Sequence, residues 1–498
     1  MAALAYTAGK SDEKKPYIPL ENGWWRKPLF YMLSLSLVGL GLYPALGISL
    51  VFLAHEWRHD RYNFLIMLTL LVGTYGLMSP QQLPIWTSDL ALLAAGILWF
   101  VYRKPPILRR TLTAIFVYFG FMFIVAFLSV ENMKIQLLVM RFYWHILYII
   151  IPIAIFSGKE FDFNTFILKL FPFVLLIAIF YLADAYIISG HIFLPKDTSW
   201  NGSTFYSPSI HLLSGKIYRI YPPGIFLYSL IFLPILRTYR LHWWQWLFFI
   251  GSLIACQTFT IIIGFLAVYV LFQANVKKIA TWSIAGIVLF TGLYFIDGMM
   301  PEVKHDDGLE SRLRIKSSID QFFDLYNAVD EEDIAEFGSG RMAQALPKLE
   351  IVAREGRQWI GLGFLHPSKT TLNQYLITNE YYSDIEKADE VATSVEIAQI
   401  QVYINMGWLG LLVVTLFYLY LYYLVRKLPY SYYCLSVMAL CFIWSAGGFA
   451  GINFDQGGQL IAISFAAVVL HSRDKLGFNT PWIKKQSGRQ TIGLQSEL

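Results

Sequence analysis

The strongest constraint on this chain is its series of apolar runs, many of them near the ~20 residues that carry an α-helix across a bilayer. They occupy 28–42, 43–54, 62–79, 87–102, 112–130, 135–157, 164–189, 222–236, 243–256, 258–273, 279–297, 398–425, 429–449 and 457–471. Of 498 residues, 56% are hydrophobic and only 15% charged, too little charge to cover a soluble protein of this length. The expected fold class is all-α: a polytopic membrane helix bundle of about 12–14 transmembrane segments, with a mainly helical subdomain in one external loop.

Sidedness follows from the basic residues. Residues 28–54 form either one long helix or a tight hairpin, and Gly39, Gly41 and Pro44 interrupt the middle, which favours the hairpin. With a hairpin, Arg26/Lys27, Arg58/Arg61, Arg103/Lys104/Arg109/Arg110, Lys159, Arg237/Arg240, Lys277/Lys278 and Arg426/Lys427 all fall on one side. The opposite short loops, such as SPQQLPIWTSD and GINFDQGGQ, carry no Lys or Arg. This is the positive-inside pattern, and it puts both termini in the cytoplasm. Trp24, Trp25, Trp57, Trp99, Trp243 and Trp244 sit near segment ends, where amphipathic rings favour the membrane interface. The expected organisation is a cytoplasmic segment 1–27, a bundle 28–297 with an outward loop 190–221, a large outward loop 298–397, closing helices 398–471 and a polar, disordered cytoplasmic tail 472–498.

Several function classes drop out. The net charge of +5 is spread over short loops, so no nucleic-acid partner is expected. Cys256, Cys434 and Cys441 lie in apolar runs without a C-x-x-C or His/Cys cluster, so neither a disulfide framework nor a zinc site is implied. The first 28 residues stay polar too long for a cleavable signal peptide. Asn201-Gly202-Ser203 fits the glycosylation triplet, a pattern short enough to arise by chance. In the long outward loop, LESRLRIKSSIDQFFDLYNAV and GRMAQALPKLEIVAREGRQW have helical apolar spacing.

Chemistry-bearing residues gather on the outward side. Arg219, in KIYRIYPPGIFLY, precedes an apolar helix, and Arg341, in FGSGRMAQALPKL, opens a predicted one. Guanidinium forks bind phosphate oxygens bidentately, and a helix N-terminus adds backbone donors, so the pair suits a pyrophosphate-linked lipid. Pairing with the loop's many carboxylates is the alternative. Arg141 and His145 stand at i, i+4 inside an apolar segment, on one face of an α-helix. Ionisable groups at such depth face a partner or a wet cavity, so both are candidates for lining a cavity or touching the acceptor. A helix–helix contact, or snorkelling of Arg141, is the other reading. Snorkelling also accounts for Lys169 and Asp184, and Asp455, in the last outward loop NFDQGG, is a candidate to border the same cavity. In SVEIAQIQVYINMGWLG, residues 394–410, Glu396, Gln399 and Tyr403 recur at i, i+3, i+7 on one side of a helix. A Glu partly withdrawn from water gains basicity and suits a general base for a sugar hydroxyl; a solvated helix start is the plain alternative.

The order of an Arg before a mid-chain helix, a late Arg, a G-x-G and a G-x-x-G resembles the O-antigen ligase and O-antigen polymerase superfamily. The matching pieces are YRIYPPGIF (Arg219), GSGRMAQAL (Arg341), IGLGF (Gly361, Gly363) and VEIAQIQVYINMGWLGL (Gly407, Gly410), over roughly 200–415. The resemblance implies inverting glycosyl transfer at the periplasmic face of the bacterial inner membrane, from an undecaprenyl-pyrophosphate-linked oligosaccharide, with no metal or other cofactor. It implies pyrophosphate binding by Arg219 and Arg341, and a chain-length regulator is a candidate partner beside the lipid bilayer. Ligases carry a His-Asn pair where this chain has Glu396 and Ile397, and the aromatic residue expected after the Arg341 motif is absent. These departures favour a polymerase of lipid-linked repeats, with Glu396 as the base. The rivals are a ligase moving glycan to lipid A–core or protein, and a flippase or transporter of the same lipid. Related halves, frequent in transporters, are not visible in the sequence.

Overall fold

The computed structural model describes residues 15–40, 42, 44–71, 87–101, 106–129, 132–157, 159–188, 193, 206–212, 215–220, 227–255, 259–272, 276–299, 303–305, 308–310, 316, 320, 341–365, 395, 397–446 and 457–473. These are mainly helical. The chain opens with α1 (Arg26–Gly39), α2 (Ala45–His59) and α3 (Arg61–Thr69). Lys27 Nζ lies 2.9 Å from Glu56 Oε1, and the Ser34 and Ser49 hydroxyls are 2.7 Å apart. The two helices are therefore antiparallel, and 28–54 is the hairpin that the charge pattern favours. Asp60 caps α3, its Oδ1 accepting the Tyr62 and Asn63 N–H groups at 3.0 and 3.3 Å.

Next come α4 (Thr87–Val101) and α5 (Pro106–Phe127), the latter with proline at its first position, where the missing N–H is no loss. The segment expected as one helix over 135–157 is broken. It consists of α6 (Met133–Met140), a 3₁₀ run (Arg141–Ile149) and α7 (Ile150–Ile155). The Asp162 carboxylate caps α8 (Phe163–Leu182), which ends in a π-helical turn, Ala183–Ile188. A hairpin of β1 (Tyr206–Leu212) and β2 (Gly215–Ile220) follows. The remaining elements are α9 (Tyr228–Thr238), α10 (Trp243–Ala255), α11 (Phe259–Leu271), α12 (Val276–Met299), a short hairpin of β3 (Val303–His305) and β4 (Gly308–Glu310), α13 (Arg341–Arg354), α14 (Ala398–Val425), α15 (Ser431–Ala446) and α16 (Gly457–His471).

Among the described residues three spans, Pro106–Phe127, Phe163–Ala185 and Ala398–Val425, are long and apolar enough to cross a membrane. Met133–Met140 with Tyr143–Ile155, bent by 40°, makes a fourth if the pair counts as one span. Shorter apolar helices accompany them. Large apolar side chains face outward in bands, among them Val117, Ile124 and Phe127 on α5, Ile284, Ile287 and Val288 on α12, and Leu412, Leu416 and Leu419 on α14. Such surfaces are compatible with a multi-pass membrane protein.

The centre of the bundle is α16, buried at every position from Gly457 to Leu470. Its Gly457, Gly458, Ala462, Ser464, Ala466 and Ala467 let neighbouring backbones approach, the usual solution where helices pack without water to drive them together. A Cβ on Gly458 would stand 3.3 Å from the Ile146 nitrogen of the 3₁₀ run. Polar contacts gather at the two ends. At one, Lys169 pairs with Asp60, Tyr62 OH accepts the Asp162 N–H at 2.7 Å, and Arg473 Nη1 donates to the Lys159 carbonyl at 2.7 Å. The stretch 15–18 also clamps onto 236–242: Ile18 N–H bonds the Arg240 carbonyl at 3.1 Å, and Tyr17 stacks on His242.

Four further expectations change. The run 206–220 is a β-hairpin rather than loop, because strand pairing satisfies backbone groups that a bare loop leaves open. Leu309 and Glu310, expected to open a helix, pair in β4 instead, while the rest of that stretch lies largely outside the described residues. The helix expected over 112–130 starts six residues earlier, at Pro106. Asp184 does not snorkel: within the π turn it is fully buried, and its carboxylate accepts the Phe193 N–H at 3.1 Å.

Candidate functional site

The best-defined constellation among the described residues is a kink in α14. Helix α14 runs through Gly407, whose φ of +63° and ψ of −164° only glycine adopts readily. The kink strands backbone groups on both sides of it, and in apolar surroundings each must be bonded within the protein. A strap at 357–364 does so. The Leu362 and Gly363 N–H groups donate to the Ile404 and Asn405 carbonyls at 2.7 and 3.0 Å, and the Trp408 and Leu409 N–H groups donate to the Gln358 and Trp359 carbonyls at 2.9 and 3.1 Å.

This contact is possible only between bare backbones. A Cβ on Gly361 would lie 2.4 Å from the Asn405 carbonyl carbon, and one on Gly407 2.3 Å from that of Trp359. Gly363 faces the bundle instead, where a Cβ would fall 1.9 Å from Ser129 Oγ. The G-x-G and the first glycine of the G-x-x-G, read from the sequence as a motif, are thus two sides of one joint. Gly410 is tight within α14, its Cβ position 2.1 Å from Met406 Cβ.

The strap is also tied to the corner between α5 and α6. Ser129 Oγ donates to the Leu362 carbonyl at 2.7 Å, and Arg357 Nη1 to the Leu128 carbonyl at 2.8 Å. Gln136, with no exposure, accepts the Phe364 N–H at 2.6 Å and donates to Ser129 Oγ at 2.8 Å. From the strap a polar chain enters the bundle: Val395 N–H to Gln401, Gln401 to Asn405 at 2.7 Å, and Asn405 to Tyr143 OH at 3.1 Å. None of Ser129, Gln136, Tyr143, Asn405 or Arg357 stood out by motif. Their only sequence signal was polarity within or beside apolar runs, strongest at Gln136 and Asn405.

Helix α13 packs on the same unit. Ala345, Ile351 and Val352 join Leu362, Leu365, Val395 and Ile404 in a small apolar cluster apart from the main core, with Ile400 and Tyr403 at its edge. Lys348, on α13, is 3% exposed, and burial pushes its ammonium down to about 7.

The expected site residues are distributed as follows. Arg341 is the first residue of α13, as expected, so its position is a helix N-terminus. Arg219 lies in β2, its backbone opposite Ser207, rather than in a loop leading to a helix; α9 begins only at Tyr228. The β1 strand runs beside β3, and β2 beside the π turn. Glu396 and Asp455 lie outside the described residues. Gln399 is directed at α15, donating to the Phe442 carbonyl at 3.2 Å and Ser445 Oγ at 3.1 Å. Tyr403 sets its ring edge-on to Trp408, with centroids 4.9 Å apart.

Arg141 and His145 do not share a face. In a 3₁₀ helix, at three residues per turn, positions i and i+3 eclipse and i+4 is rotated away. Arg141 is half-buried, whereas His145 is packed in the core, stacked on Tyr148 at 5.5 Å and set against Gly458. No protein-family model matches this sequence, and no curated protein is significantly similar to it.

Proposed function

We propose that the chain is a bacterial inner-membrane polymerase of lipid-linked oligosaccharide repeats, with both termini cytoplasmic and the α13–α14 unit at the periplasmic face. One observation carries the reading: the strap docked on the α14 kink joins the helix that begins at Arg341 to the helix that begins two residues after Glu396. On this reading the diphosphate site takes Arg341 at the start of one of the two joined helices, and the base, Glu396, is drawn from the sequence just ahead of the other. The Glu396 carboxylate takes the proton of the acceptor hydroxyl, whose oxygen attacks the anomeric carbon with inversion. The bond to the undecaprenyl pyrophosphate breaks, and Arg341 and Arg219 stabilise the charge that builds on the departing diphosphate.

The break in α14 also suits a transporter, since transport sites often lie on interrupted helices. Here the backbone groups freed at Gly407 are taken by residues 358–363, which favours a brace over an ion or substrate site.

The test is chain extension by the full protein in vesicles supplied with an undecaprenyl-pyrophosphate-linked repeat and no ion gradient. Arg341→Ala is expected to lower the rate by ~10²-fold or more, the cost of losing one charge-stabilising group. Glu396→Gln is expected to lose extension while still binding the lipid donor. Normal insertion and wild-type extension by Arg341→Ala would overturn the diphosphate role.

A further inference from the structure

A second charged feature lies at the opposite end of α14. Helices α5 and α14 pack along their length, with Tyr118 stacked on Phe417 at 4.4 Å. Where α5 begins and α14 ends they part into a groove of about 460 Å³, lined by Arg109, Arg110, Thr113, Ala114, Val117 and Tyr420. Both arginines are exposed, and no carboxylate among the described residues pairs with either. The Arg109 guanidinium sits 5.4 Å from the centre of the Trp99 ring, and Trp99 Nε1 donates to Thr113 Oγ1 at 3.0 Å. Below this polar mouth the lining turns apolar: Val117, 68% exposed, is two turns of α5 past Arg109, about 12 Å at 1.5 Å per residue.

We propose that this groove is a binding site for an anionic phospholipid, the headgroup phosphate held between Arg109 and Arg110 and one acyl chain lying over Ala114 and Val117. Three features favour this occupant. Two exposed guanidiniums without carboxylate partners among the described residues call for an anion. Guanidinium forks match phosphate oxygens. The change from charged mouth to apolar trough along one helix follows the polarity of a lipid rather than that of a free ion. Basic pockets between membrane helices are where anionic headgroups bind.

The test is native mass spectrometry of the full chain in detergent, titrated with phosphatidylglycerol, with phosphatidylcholine and with inorganic phosphate. Phosphatidylglycerol is expected to bind about 25-fold more tightly than phosphatidylcholine, equivalent to about 2 kcal/mol at tenfold per 1.4 kcal/mol. Inorganic phosphate is expected not to compete at millimolar concentration. Arg109→Gln/Arg110→Gln should erase the preference between the two lipids. Val117→Trp keeps both arginines but fills the trough, and it should lose the bound lipid too; it decides the matter even where the double variant fails to insert. The site is refuted by an undiminished preference in the double variant, by unaltered binding in Val117→Trp, by displacement with phosphate alone, or by a second copy of the chain covering the groove without lipid.

Discussion

Gly407→Ala isolates the joint on which the α13–α14 unit depends. The new methyl would stand 2.3 Å from the Trp359 carbonyl carbon, 2.4 Å from its oxygen and 2.5 Å from the Ile360 nitrogen. All three are backbone atoms, so no rotamer change relieves the clash. The separation must rise to at least 3.4 Å for ordinary contact, which stretches the adjoining hydrogen bonds of 2.7 to 3.1 Å beyond useful range. Four bonds at about 1 kcal/mol each, plus about 1–3 kcal/mol of backbone strain at this φ and ψ, give a cost of about 5–7 kcal/mol. That approaches the whole stability of a typical domain, so the strap should detach. Hydrogen exchange reads this directly: the Leu362, Gly363, Trp408 and Leu409 amides should lose protection together, while those of α16 keep theirs. Gly356→Ala is the control, since Gly356 has φ +64° but nothing within 4 Å of its Cβ position. It should cost only the left-handed strain, about 1–2 kcal/mol, with the strap amides still protected. If Gly407→Ala left those four amides protected, or cost no more than Gly356→Ala, the close-approach argument would be wrong.

Two further outcomes follow from the same unit. Gln136→Leu removes the acceptor of the Phe364 N–H and the donor to Ser129, and should lower stability by about 2–3 kcal/mol, measured as a lower melting temperature and faster exchange at Phe364. Lys348 has its affinity for protons reduced from 10.5 to about 7 by burial, so between those values the unfolded unit holds a proton that the folded one lacks. Protection of α13 should therefore rise with pH from about 7 to about 10 and be weakest below 7; Lys348→Met should be more stable at neutral pH and lose that slope, and a slope unchanged in the variant would show that another group titrates.

Much of the body was legible because apolar length reports helices directly. The expected 398–425 and 457–471 coincide with α14 and α16, and the hairpin at 28–54 followed from where the basic residues had to lie. The 3₁₀ run at 141–149 was hidden, since its side chains fit an α-helical reading equally well. Its winding accompanies the close packing of α16 at Gly458, which no local pattern reports. The hairpin carrying Arg219 was missed because YSPSIHL and GKIYRI lie in a stretch read only by its length and polarity.

By itself the sequence located most of the long apolar helices, such as α14 and α16, because the count of successive apolar residues is a local property. It also marked Gly361, Gly363 and Gly407 as positions of interest, without their purpose. Only the tertiary structure decided that Gly361 meets the Asn405 backbone and Gly407 the Trp359 backbone, segments more than forty residues apart, and that Ser129, just past α5, and Gln136, on α6, close the same joint. The physical reason is that a broken helix must find partners for its stranded N–H and C=O groups, and whichever segment supplies them is chosen by fit in space rather than by neighbourhood along the chain.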